Sequence, residues 1–186
     1  MKQKLALLTL LLVTGIAQLA AQDRYFTKTG TISFHSKTDL ENIDATNKLV
    51  TAALDTKTGA IQFNVPMKAF EFKRALMQEH FNENYVESEK FPNGTFKGRL
   101  ANNASIKYGT PGTYDVTVEG DLTIHGVTKK VNAPGKVVIS QGAIDATAAF
   151  EILLADYNIT IPALVADKIS KKVNINVVTK LEPLKN

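Results

Sequence analysis

Residues 112–126, GTYDVTVEGDLTIHG, carry the reading that decides the fold. Tyr114, Val116, Val118, Leu122 and Ile124 share one parity; Thr113, Asp115, Thr117, Glu119, Asp121, Thr123 and His125 share the other. Successive side chains of a strand point to opposite faces, so the run predicts a strand with one dry and one wet face. The pattern recurs along the chain. In 144–154, Ile144, Ala146, Ala148, Phe150, Ile152 and Leu154 oppose Asp145, Thr147 and Glu151. In 171–181, Val173, Ile175, Val177 and Leu181 oppose Lys172, Asn174, Asn176 and Lys180. Weaker versions occupy 25–36, 61–65, 95–100 and 127–139, and 45–54 and 104–108 read as shorter strands. Turn chemistry separates them, with DTKTG at 55–59, YGTPG at 108–112 and SQG at 140–142.

The result is eight or nine strands without a βαβ rhythm. Several run 11 to 15 residues, and long one-sided antiparallel strands suit a barrel whose strands tilt about a common axis and leave no free edge. The predicted fold is all-β, an antiparallel eight-stranded barrel with one short helical insertion; an open sandwich is the competing architecture. Small residues also fall on the dry face: Gly30, Gly98, Ala104, Gly120, Ala133, Ala146 and Ala148. Among them stand Phe34, Phe63, Phe96, Phe150 and Ile152. Small inward residues either fit the taper of a filled barrel or leave room for a ligand, and the pattern alone leaves both open.

The insertion begins at Phe72. Phe72, Leu76 and His80 lie four apart, with Met77 and Phe81 on the adjoining row, which predicts one short amphipathic helix. Asn82 and Asn84 suit its frayed end, and Pro92 biases Phe91 toward extended backbone before the strands resume. Such a segment cannot join the ladder. It is expected to close one end of the barrel as a lid, with Leu76, Met77, His80 and Phe81 facing the cavity. Lys68, Lys73, Arg74, Lys97 and Arg99 flank it, and Lys73 and Arg74 are the candidates to meet an anionic head group.

The first residues read as an export signal: Lys2 and Lys4, an apolar core from Leu5 to Ile16, and the small pair Ala20-Ala21. The expected organisation is a signal peptide over 1–21, cleaved after Ala21, and one barrel domain over 22–186. The apolar core falls short of a membrane span, so no transmembrane segment is expected in the mature chain. The chain has no Cys, which removes disulfides and thiolate metal sites, and no lipid anchor at the mature end is expected. The net charge of +4 includes Lys2 and Lys4, and acids and bases are otherwise interspersed, so nucleic acid is not an expected partner.

His35, His80 and His125 are the only imidazoles. Their spacing matches no zinc or hydrolase motif, and His125 reads as a solvated residue sharing a wet face with Asp121. The pairs Glu79 and Glu83, and Glu87 and Glu89, fall in a solvated acidic run and do not form a glycosidase pair. With no phosphate loop and no nucleophile elbow, neither catalytic nor metal-binding residues are assigned.

Two motifs in order, EHFNENYVESEKFPNGTFKG at 79–98 and GDLTIHGVTKKV at 120–131, resemble the YceI-like family of secreted bacterial proteins, lipocalin-like barrels that bind polyisoprenoids. The similarity extends to DYNITIPALVADKISKKVNINVVTKL at 156–181; many members begin their first strand with Trp, and this chain has none. The resemblance implies a long apolar internal cavity that holds an isoprenoid-type chain, a periplasmic or secreted location and no catalysis. It leaves no cofactor to expect other than a bound isoprenoid or quinone-like lipid. A homodimer stays open. Two rival readings are an interaction protein whose packed barrel docks a partner through the helical insertion, and an enzyme acting on a lipid near His80.

Overall fold

In the computed structural model, residues 23–184 are described, and their strands form one sheet that closes on itself. The strands are β1 (Arg24–Lys37), β2 (Asn42–Asp55), β3 (Ala60–Pro66), β4 (Glu71–Phe72), β5 (Asn93–Leu100), β6 (Gly112–Ile124), β7 (Val127–Ser140), β8 (Ala143–Leu153) and β9 (Lys172–Pro183). They run in the order β1-β9-β8-β7-β6-β5-β3-β2, and β2 pairs back onto β1. Eight strands therefore close an antiparallel barrel. The two-residue β4 adds a spur on β2, pairing Phe72 with Ala45. The expected signal peptide, 1–21, lies outside the described residues.

The alternation read from 112–126 settles the register. Val116 and Val137 are buried and directly paired backbone partners flank them, while Asp115 pairs with Lys136 on the outside through a 2.6 Å ion pair. The expected strand over 45–54 runs from 42 to 55. Its inward Val50, Ala52 and Leu54 are almost fully buried, and a Val or Leu so buried contributes about 1.5–3 kcal/mol. β1 kinks between Thr27 and Ile32 with shifts of register at Gly30. A Cβ on Gly30 would press on Val50 O and Thr179 Oγ1 at 3.2 Å, so the glycine lets the bent strand approach its neighbours closely.

Residues 104–108 are not a strand. A 3-10 turn spans Asn103–Ser105, and Ala104 is exposed instead of facing the core. Asn102 donates from its amide to Asp115 O at 2.9 Å, and Asn103 donates to Thr56 O at 2.9 Å. These side chains hold the loop in place of a ladder. Ile106 and Tyr108 then plug that end of the barrel, with the Tyr108 hydroxyl donating to Asn103 Oδ1 at 2.7 Å. Burial, with a smaller contribution from Tyr25, pushes the Tyr108 phenol up to about 12.

The insertion also differs from one amphipathic helix. Phe72 belongs to β4, α1 covers only Ala75–His80, and a π-helical turn carries the chain through Phe81–Tyr85. Asn82 does not fray the helix end: its amide donates to Gln78 O at 2.9 Å within the wider turn. The left-handed residue comes later, at Glu87.

Candidate functional site

Two adjoining hollows occupy the barrel. The inner chamber, about 130 Å³, is walled by β1 to β3 and β5 to β9. Phe63, Phe96, Ala146, Ala148 and Phe150 all line it. Its width at Phe96 depends on paired glycines. Gly98 and Gly120 stand opposite one another, and a Cβ on either would lie within 2.8 Å of the Phe96 ring, so the ring lies flat along the wall. Nearly all the lining is hydrocarbon. Thr179 is an exception, since its buried hydroxyl faces the hollow without a hydrogen-bond partner. The Lys136 ammonium, engaged with exposed Asp115, stays on the outer side.

The outer chamber, about 260 Å³, lies between the barrel and the insertion. Phe34, Met77, His80, Phe81 and Ile152 line it. Phe34, Phe70, Phe72 and Phe81 form a continuous aromatic cluster with ring centroids 5.1–5.8 Å apart. Tilted and offset pairs of this kind add about 0.5–1.5 kcal/mol each beyond their burial, and here they fix the insertion to β1. Ile32, Met67, Phe70, Ile124 and Ile175 border both chambers and form a waist between them.

Three expected positions fall elsewhere. Leu76 is 61% exposed and borders neither chamber. Phe72 is fixed by strand pairing and α1 begins only at Ala75, which leaves Leu76 exposed while Met77, His80 and Phe81 border the outer chamber. Lys73 and Arg74 border neither chamber either. Lys73 lies 3.9 Å from Asp44, and Arg74 donates to Glu41 at 2.9 Å. Among the described residues, Glu41, His80, Tyr85 and Lys168 are the ionisable ones that border the outer chamber.

His125 corrects the wet-face reading. β6 ends at Ile124, and His125-Gly126 forms the two-residue turn to β7 with φ of 52° and 73°. Asp121 pairs with Lys130, not with His125. The imidazole, with only 13% of its side chain exposed, instead receives the insertion: Nε2 lies 2.6 Å from Glu87 Oε2, and Nδ1 lies 3.0 Å from the Tyr157 carbonyl. Phe91 packs edge-on at 4.9 Å. Glu87 is accordingly not a free member of an acidic run. The hydrogen bond from His125 holds its carboxyl below the usual 4.5 against the opposing effect of desolvation, with Lys90 assisting.

Sequence reasoning overlooked the connection between β8 and β9. Ile159, Val165 and Ile169 from that stretch close the third side of the outer chamber. Its signal was present in ITIPALVADKI, an apolar run too long and too broken by Pro162 for a strand turn. Among the described residues no three His, Asp or Glu side chains gather as a metal cluster, and no helix is long and apolar enough to cross a membrane.

An antiparallel eight-stranded barrel with an apolar hollow and a side insertion is an architecture with room for one small or lipid-like ligand. The YceI-like domain model matches residues 23–181, and the chain belongs to that family. A solved polyisoprenoid-binding domain from Saccharophagus degradans, implicated in plant cell wall breakdown, superposes with a TM-score of 0.75 at 17% identity, over 88% of this chain and 99% of that one. Burkholderia cenocepacia BcnA gives 0.68 at 17% identity, over 82% and 95%. The Campylobacter jejuni YceI protein gives 0.57 at 12%, over 100% and 94%. These likenesses establish the shared barrel. No curated protein matches the chain.

Proposed function

We propose that this chain is a non-catalytic carrier of a long apolar isoprenoid-type lipid, held along the barrel and working in the periplasm after removal of residues 1–21. The observation that carries the reading is the pair of adjoining hydrocarbon-lined chambers joined at a waist. A barrel filled for partner docking would leave no such hollow, and the nearly uniform apolar wall favours a chain over a polar solute. Family membership supports the same ligand class. Phe63, Phe96, Ala146, Ala148 and Phe150 hold the distal part of the chain, and Phe34, Met77, His80, Phe81 and Ile152 the proximal part. Lys73 and Arg74 remain candidates for a head group only if they release Asp44 and Glu41. Native mass spectrometry of the protein purified without detergent should show a bound mass of lipid size that organic extraction removes. A protein that is empty after such purification, and that refuses an added C40 prenyl chain, would defeat the proposal.

A further inference from the structure

Three segments frame the mouth of the outer chamber: the β1–β2 turn, α1 and the connection between β8 and β9. They are tied together. Arg74 of the insertion donates to Glu41 at 2.9 Å, and the Ser170 amide donates to Ser36 Oγ at 3.0 Å. Each segment carries an outward leucine, Leu40 at 65% exposure, Leu76 at 61% and Leu164 at 92%. Among the described residues the other large apolar side chains more than half exposed are Leu49, at 60%, and Val178, at 56%, the latter midway along β9 opposite Thr31 and Thr147. Leu49 stands on the outer wall of β2, seven residues from Asn42 at the turn, or about 20 Å along the strand. Scattered surface leucines need no explanation, but here each adjoins in sequence a residue that lines one opening, Glu41, Met77 and Val165.

The charges beside them are of both signs. Lys37, Lys73 and Lys168 are exposed, and so are Asp39, Glu79 and Asp167. A strongly anionic surface would repel half of this set. Zwitterionic phospholipid, whose phosphate and ammonium groups lie in one layer, complements it.

We propose that this leucine rim seats the barrel, mouth inward, on a zwitterionic phospholipid surface. The proposal rests on the carrier reading. A prenyl chain crossing water between membrane and barrel would expose every methylene, at about 0.8 kcal/mol each, whereas a mouth opening onto the bilayer avoids that exposure. Three leucines in the interface make a shallow, reversible contact, as a carrier needs.

The absence of Trp from the chain makes the test direct. Single-tryptophan variants Leu40→Trp, Leu76→Trp and Leu164→Trp, with Leu49→Trp as the remote control, are mixed with phosphatidylcholine–phosphatidylethanolamine vesicles free of isoprenoid. Emission should move to shorter wavelength at the three rim positions and stay unchanged at position 49. In flotation, the triple variant Leu40→Ser, Leu76→Ser, Leu164→Ser should partition at least about tenfold more weakly at an unchanged melting temperature. No shift at the rim, or an equal shift at position 49, overturns the proposal. So does a shift that follows protein concentration without vesicles, which would assign the rim to a second copy of the chain. Cargo is read separately by native mass spectrometry. Vesicle docking by a protein that never takes a prenyl chain sinks the carrier reading, and an occupied protein that ignores vesicles sinks the docking.

Discussion

His125 shows how one residue can fasten an insertion to a barrel. Its two ring nitrogens face two acceptors, the Tyr157 carbonyl and the Glu87 carboxylate. Both partners are hydrogen-bond acceptors, so the ring ties the β8–β9 connection and the insertion to the end of β6 at once. Because the Glu87 carboxyl is held below its usual 4.5, its share of the stability is complete above that value and is lost as pH falls through the lowered folded value. The expected result is a melting temperature that drops below about pH 4.5, with a shallower drop in Glu87→Gln, followed by calorimetry. An unchanged slope in the variant would show that other carboxyls dominate. At neutral pH, His125→Phe keeps the ring but leaves the Tyr157 carbonyl unpaired, at about 1–3 kcal/mol, or several degrees in melting temperature. Strand parity misplaced this residue because parity holds only within a strand. The pair His125-Gly126 between two alternating runs was the readable sign of a two-residue turn, in which the side chain leaves the strand face.

At the scale of elements, the strands were legible and the insertion only partly so, for a physical reason. A barrel strand has one face on the core along its whole length, so the two-residue period of 112–126 or 144–154 records burial directly. The insertion is ordered by what it meets. Phe72 pairs with Ala45 in β4, Val86 is buried at 3% exposure, and Ser88 N donates to Asn82 O at 2.8 Å. None of these contacts is local enough to show as helical spacing, which is why Leu76 was expected inside. α1 has six residues, none of them buried, and no side-chain cap. Such a helix is marginal in water and depends on its surroundings for order. Hydrogen exchange on emptied and prenyl-loaded protein should therefore show protection gained over 73–85 on loading, with 112–126 unchanged. Equal protection in both states would make the segment a fixed wall, and cargo would have to pass between strands.

For the whole molecule, the two chambers lie in series, and this geometry turns chain length into a property of binding. The Tyr108 loop plugs the far end, and the waist of Ile32, Met67, Phe70, Ile124 and Ile175 divides near from far. A short prenyl chain can stay in the outer chamber. A longer one must pass the waist and lie along Ala146 and Ala148, whose backbone partners on β7 are Val137 and Gly135. Ala148→Phe places a ring in the inner chamber without touching the outer one. The variant should fold, because inward Phe63, Phe96 and Phe150 already show that the hollow admits aromatic rings. Wild type should gain affinity with each added isoprene unit until both chambers fill, since every buried methylene contributes about 0.8 kcal/mol. In Ala148→Phe that gain should stop at a shorter chain, with the longest chains bound at least about tenfold more weakly and the shortest unaffected. Titrating a ladder of prenyl alcohols against both proteins measures this. If short and long chains weaken alike, the two hollows do not act in series, and cargo occupies the outer chamber alone.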